Sequence, residues 1–343
     1  MKHQKDVTSI LPGAKRLYTP DRNLRDINMI RMSFTVITLL AVATFSSQTN
    51  SAQQNRPNAP RDLRDNVIEY RDLEYADVDG KTLLLDLYLP KGVKNPLLLV
   101  WIHGGGWRNG DKGRGGKFVP LGTDAGYACA SINYRLSGEA TFPAQIHDCK
   151  AALRWLRAHA EKYGYDATRI GVGGSSAGGH LVALLGTSGG DKDLEGTVGG
   201  NLDQSSSVQA VCDMWGPTDF LQMDAHAVPH SRLKHNDSRS PESLLIGGPI
   251  LENKAKVAKA NPITYIDKSD PPFLIIHGSQ DPAVPVHQSH LLHQGLKKKQ
   301  VPAKLHIVEG ASHGGREFNA PEINTMIVEF FDTHLKQPEK RPR

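Results

Sequence analysis

Gly174-Ser175-Ser176-Ala177-Gly178 is the segment best equipped for chemistry. It stands between a short apolar run, Arg169 to Val172, and a helical stretch, Ala177 to Leu185. A serine presented on so tight a strand-to-helix turn needs glycine two positions away on each side, because a side chain there would clash with the flanking elements. Ser176 has both glycines, whereas Ser175 has Gly173 before it but Ala177 after it. Ser176 is therefore the candidate nucleophile, suited to attack on an acyl carbon. Such attack builds a negative charge on the carbonyl oxygen, which needs N–H groups aimed at it. His103-Gly104-Gly105-Gly106-Trp107 follows directly on the apolar run Leu97 to Ile102, and its glycines let bare backbone N–H groups turn inward. The N–H of Ala177, next after the nucleophile, completes such a hole. Trp107 suits a substrate-pocket wall or a packing anchor equally well. Gly110 to Gly116 reads as a flexible surface loop.

The nucleophile needs a base. Of fifteen histidines, His313 stands in a glycine-flanked loop, Glu309 to Gly315, right after the last apolar run, Lys304 to Val308. In this type of site the order along the chain is serine, acid, histidine. Asp281 follows the run Pro272 to His277 and sits at that strand's carboxyl end, whereas Asp270 precedes it and falls at the wrong end of the sheet. Asp281 is thus the expected acid, accepting from the Nδ1–H of His313 and stabilising the imidazolium formed during attack. His287, His290 and His293 recur at spacings of three, but no carboxylate or cysteine joins them. They read as a solvated helix face, and no metal or other cofactor is expected.

These residues must be held by regular elements. Asp79-Gly80 is a hairpin turn between two strand-like runs, the second with leucines at 83, 85, 87 and 89. Leu97 to Ile102 is continuously apolar, as in a strand covered on both faces. Strand and helix then alternate: strands at Ala128 to Ile132, Val208 to Cys212 and Phe273 to Ile276, and helices at Ala144 to Ala160, His287 to Lys298 and Ile323 to Leu335. Such alternation predicts an α/β fold, a mostly parallel sheet with helices on both faces. A glycine-rich stretch at 186–200 and a polar insertion at about 220–262, placed to act as a small lid, interrupt it.

Together the motifs resemble the α/β-hydrolase esterases of the hormone-sensitive-lipase-like clan, and among them the bacterial acetylxylan and feruloyl esterase group. The matching pieces are His103-Gly104-Gly105-Gly106-Trp107, Asn133-Tyr134-Arg135, Phe142-Pro143-Ala144 with Asp148, Gly174 to Gly178, Gly278 with Asp281, and His313-Gly314. The resemblance implies an α/β-hydrolase fold and Gly105, Gly106 and Ala177 as the oxyanion donors. It also implies that Arg135 and Asp148 are supports and not catalysts. The chain lacks the large N-terminal cap of the hormone-sensitive lipases proper, which speaks against lipid substrates. The expected activity is hydrolysis of short-chain acyl esters, acetyl or feruloyl esters of polysaccharides included. A prolyl-oligopeptidase-like serine peptidase shares the triad order, but no strand-repeat region precedes residue 66. A non-catalytic binding module would need none of these residues.

The rest of the chain bounds the setting. A net charge of +5 is mild, and no basic stripe interleaves with aromatics, so nucleic acid is not an expected partner. Cys129, Cys149 and Cys212 lie in apolar positions and read as small buried hydrophobes. Phe34 to Phe45 is a 12-residue apolar run between Arg31 and a stretch of small polar residues, the order of a secretory signal and too short for comfortable membrane insertion. The expected organisation is an upstream extension at 1–31 that translation from Met29 or Met32 would omit, and a signal peptide at 32–52. A linker at 53–65, a catalytic domain at 66–337 and a basic tail at 338–343 follow. The product would be secreted or periplasmic.

Overall fold

The computed structural model describes residues 61–336. The extension, the signal segment and the basic tail lie outside the described residues. One nine-stranded sheet organises what is described, in the order β1-β2-β3-β5-β4-β6-β7-β8-β9. β1 (Arg61–Arg64), β2 (Val67–Val78) and β3 (Lys81–Pro90) are antiparallel, and β3 also pairs antiparallel with β5 (Ala128–Ile132). β4 (Leu97–Ile102), β5, β6 (Asp166–Ser175), β7 (Ala210–Met214), β8 (Phe273–Gly278) and β9 (Ala303–Val308) run parallel. The strand β1 corrects the linker expected to reach residue 65: polar composition hides four residues whose backbone pairs with β2.

Period-2 alternation sends successive side chains to opposite faces. In β4, Leu98, Val100 and Ile102 enter one apolar cluster, and Leu99 and Trp101 the other. Both faces are therefore covered, which is why the run lacks polar residues. The helices α1 (Phe118–Asp124), α2 (Ala144–Ala158), α3 (Ala160–Tyr163), α4 (Ala177–Thr187) and α5 (Lys192–Glu195) follow one another between β4 and β7. The insertion holds α6 (Pro241–Ile246) and α7 (Lys254–Ala260), and α8 (His287–Lys298) and α9 (Pro321–Leu335) complete the set. Pro120 and Gly122 disguise α1, yet Gly122 lets it lie so close to β5 that a Cβ would strike Cys129. The three cysteines are buried and free. No helix among the described residues is long and apolar enough to cross a membrane.

Candidate active site

The turn from β6 into α4 places Ser176 at φ 55°, ψ −121°, a strained conformation for a residue with a side chain. Its N–H donates to the Met214 carbonyl at 2.9 Å, which ties the turn to β7. The glycines at 174 and 178 are required by their surroundings. A Cβ on Gly178 would run into the Ile102 carbonyl, and one on Gly174 into the backbone of Gly178. Ser176 Oγ lies 2.9 Å from Nε2 of His313.

His313 follows β9, and its Nδ1 donates to Oδ2 of Asp281 at 2.7 Å. With that proton on Nδ1, the Nε2 lone pair faces the serine hydroxyl. Asp281 follows β8 and is fully buried. Its Oδ1 accepts the N–H groups of Ala283 and Val284 at 2.7 and 2.8 Å. Burial pushes the Asp281 pKa up, but hydrogen bonds to His277 and His313 outweigh it and hold the carboxyl well below the usual range. Gly278 lets the two loops meet, since a Cβ there would collide with the carbonyls of Ala311 and Ser312.

Facing these groups is the loop after β4. Gly105 (φ 118°) and Gly106 (φ 59°) take conformations open mainly to glycine. Gly105, Gly106, Ser176, Ala177 and His313 line one cavity of about 660 Å³. The N–H of Ala177 is among the unpaired donors at the start of α4, where the helix dipole also favours negative charge. The arrangement can move the hydroxyl proton to an imidazole and receive an oxyanion on backbone N–H groups.

The expected support residues act as supports. Arg135 grips both oxygens of the buried Asp148 at 2.7–3.1 Å, and Tyr134 donates to the His103 carbonyl at 3.0 Å. Trp107, read as a pocket wall or a packing anchor, lines the cavity and is at the same time anchored in the core. Only 1% of it is exposed, its indole N–H donates to Nδ1 of His180 at 3.2 Å, and its ring packs on Phe220. The Gly110 to Gly116 loop, read as a surface loop, is hydrogen-bonded to the sheet: the Trp101 indole donates to the Arg114 carbonyl and Ser131 to the Lys112 carbonyl.

Other residues in and around the site carried no local signal. His277, fully buried in β8, stands 3.2 Å from Asp281 as its second imidazole partner. Trp215 (φ 47°) sets its ring edge-on to His313, with centroids 6.2 Å apart. The insertion contributes Leu233, His235, Pro241 and Glu242 to the cavity wall. His287, on the expected solvated face of α8, stacks on His226 at 3.5 Å.

A parallel sheet with a strained serine at a strand-helix turn, and its histidine and acid on later strands, defines an α/β-hydrolase. The family model named BD-FAE matches residues 85–296, and the chain belongs to that family. It is similar to the esterase LipQ of Mycobacterium tuberculosis, 31% identical over 71% of this chain and 56% of that one. The esterase LipC of the same organism is 32% identical over 69% of this chain and 58% of its own length, so the chain spans little more than half of these relatives. Among solved structures, a truncated carbohydrate esterase from gut microbiota superposes with a TM-score of 0.72 at 35% identity, covering 78% of this chain and 96% of that chain.

Proposed function

We propose that the protein is a serine carboxylesterase that cleaves short acyl esters of carbohydrates by an acyl-enzyme route. The observation that carries the proposal is the unbroken relay from Ser176 Oγ through His313 to Asp281, at 2.9 and 2.7 Å. Ser176 Oγ bonds to the acyl carbon as its proton passes to Nε2 of His313. The oxyanion rests on the N–H groups of Gly105, Gly106 and Ala177. The C–O bond to the alcohol then breaks, the alcohol takes the proton from His313, and water repeats the sequence on the acyl-serine. Likeness to a carbohydrate esterase supports a saccharide alcohol, with acetyl and feruloyl groups as the acyl candidates. The signal-like order of residues 31–52 supports export, and N-terminal sequencing of the mature protein tests it.

The test of activity is turnover of acetylated xylo-oligosaccharides, methyl ferulate, small aryl esters and a prolyl amide. Ester cleavage that disappears in Ser176→Ala and His313→Ala is expected. Faster cleavage of the amide, or esterase activity surviving in Ser176→Ala, would overturn the reading.

A further inference from the structure

The loop from Arg108 to Lys117 frames the cavity and is strongly cationic, with Arg108, Lys112, Arg114 and Lys117 against one carboxylate, Asp111. Lys112 is neutralised, its Nζ lying 2.7 Å from both Asp72 and Asp86. Asp111 is occupied in capping a turn, accepting the Gly113 N–H at 2.7 Å. Arg108, Arg114 and Lys117 are exposed, and among the described residues no carboxylate pairs with them. Arg108 and Arg114 line the catalytic cavity. Arg114 and Lys117 line a neighbouring cavity of about 260 Å³ that shares Ser175 and Trp215 with the first.

The backbone at Lys112 and Arg114 is hydrogen-bonded to neighbouring segments. The carbonyl of Arg114 accepts from the Trp101 indole at 3.0 Å, and the N–H of Lys112 donates to Asn133 Oδ1 at 2.6 Å. The carboxylates near the cavity have other partners: Glu242 lies 3.0 Å from His235, and Asp281 lies 2.7 Å from His313. Arg108 and Arg114, with no carboxylate partner among the described residues, therefore stand on the wall of the cavity that holds the reacting serine. A guanidinium presents a planar fork of donors that matches a carboxylate bidentately.

We propose that the site prefers esters bearing a free carboxylate near the scissile bond, held by Arg108 and Arg114. This rests on the esterase reading above. The carboxylate has two chemical sources, a uronic acid in the saccharide alcohol or the far end of a dicarboxylic acyl group. Exposed pairs of this kind are weak and screened by salt, so the expected preference is roughly two- to fivefold per arginine.

The experiment compares kcat/KM in two matched pairs. One is an acetylated methyl glucuronoside against the acetylated methyl glucoside, and the other a hemisuccinate against the acetate of one neutral alcohol. Each ratio is measured at about 0.01 M and about 1 M salt, where the Debye length falls from roughly 30 to 3 Å. Arg108→Gln, Arg114→Gln and Arg114→Lys are compared with the parent chain. In at least one pair the acidic substrate is favoured at low salt, and the pair that shows it identifies the carboxylate's source. That ratio falls several-fold in the glutamine variants and at high salt, and Arg114→Lys keeps part of it. Ratios of one in both pairs, or ratios indifferent to both arginines, overturn the preference while leaving the esterase reading intact. Absence of turnover on every ester overturns both.

Discussion

At the scale of single residues, adjacent Ser175 and Ser176 give the sharpest test. Only Ser176 has the positive φ and the hydrogen bond to His313. Ser176→Ala is expected to lower kcat by about 10⁴- to 10⁶-fold, and His313→Ala by a similar factor because the two act as a unit. Ser175→Ala leaves the relay whole and should cost far less; equal losses at the two serines would refute the assignment. The expected triad was legible because each member stands at a strand's carboxyl end among glycines whose positions sterics dictates. His277 and Trp215 were not, since their contacts join segments far apart in sequence and neither has a local motif. Asp213 was hidden in the same way, inside an apolar run. It is fully buried, its Oδ1 accepts the Gly216 N–H at 2.9 Å, and Oδ2 has no partner. Burial raises its pKa to about 7. The folded state thus holds this proton more tightly than the unfolded state, whose aspartates titrate near roughly 3.9. The associated stability is full below that value and is lost as pH rises through about 7. Asp270, also raised to about 7, adds to the same slope. Buried His180, lowered to about 4, acts in the opposite direction over the same window, so the test is a difference: in urea unfolding from pH 4 to 8 the stability of the parent chain relative to Asp213→Asn should fall as pH rises. A difference constant with pH would mean that Asp213 does not titrate in this window.

Between elements, the decisive contact joins the glycine loop to the nucleophile helix. Trp107 holds φ at 56°, costly for a bulky residue, so its surroundings must enforce it. They do so through His180 of α4, whose Nδ1 accepts from the indole while Nε2 donates to the Ala260 carbonyl at 2.7 Å. Burial lowers the His180 pKa to about 4, which keeps it neutral and able to accept. This strut fixes the distance between Gly105 and Gly106 on one side and Ala177 on the other. Trp107→Phe keeps most of the packing and removes the donor. It should lower kcat about tenfold with a smaller change in KM, because the oxyanion donors act mainly in the transition state. A change confined to KM would instead make Trp107 a substrate contact. The alternation of strands and helices was plain from hydrophobic periodicity. The short helices α6 and α7 were not, since six or seven residues span too few turns to establish a period. In the structure Ser240 caps α6, its hydroxyl accepting the Ser243 N–H at 3.0 Å, with Pro241 in the first turn.

Across the whole molecule, the insertion decides the range of substrates. A lipase that works at lipid surfaces needs a cover with an apolar underside, free to swing away. Here Met223, Leu245, Ile246, Ile250 and Val257 are 0–2% exposed and belong to the main core, so much of the insertion's apolar surface is already buried, while Leu233, Leu244 and Leu251 stay 40–51% exposed. It is also fastened at several points. Ser231 donates to the Pro282 carbonyl beside Asp281 at 2.6 Å, and Phe142 donates its N–H to the Leu245 carbonyl at 2.8 Å. Swinging it open would expose that apolar surface at roughly 25 cal/mol per Å². The wall it presents to the cavity holds His235 and Glu242, with Leu233 as its large aliphatic group. Each methylene added to an acyl chain contributes up to about 0.8 kcal/mol only where an apolar groove receives it. Aryl esters from acetate to palmitate should therefore give the highest kcat/KM at the short end, with no increase in rate when a lipid interface is supplied. A maximum at dodecanoate or beyond, or a jump at the interface, would show that the insertion opens and that the polar wall is not what a substrate meets.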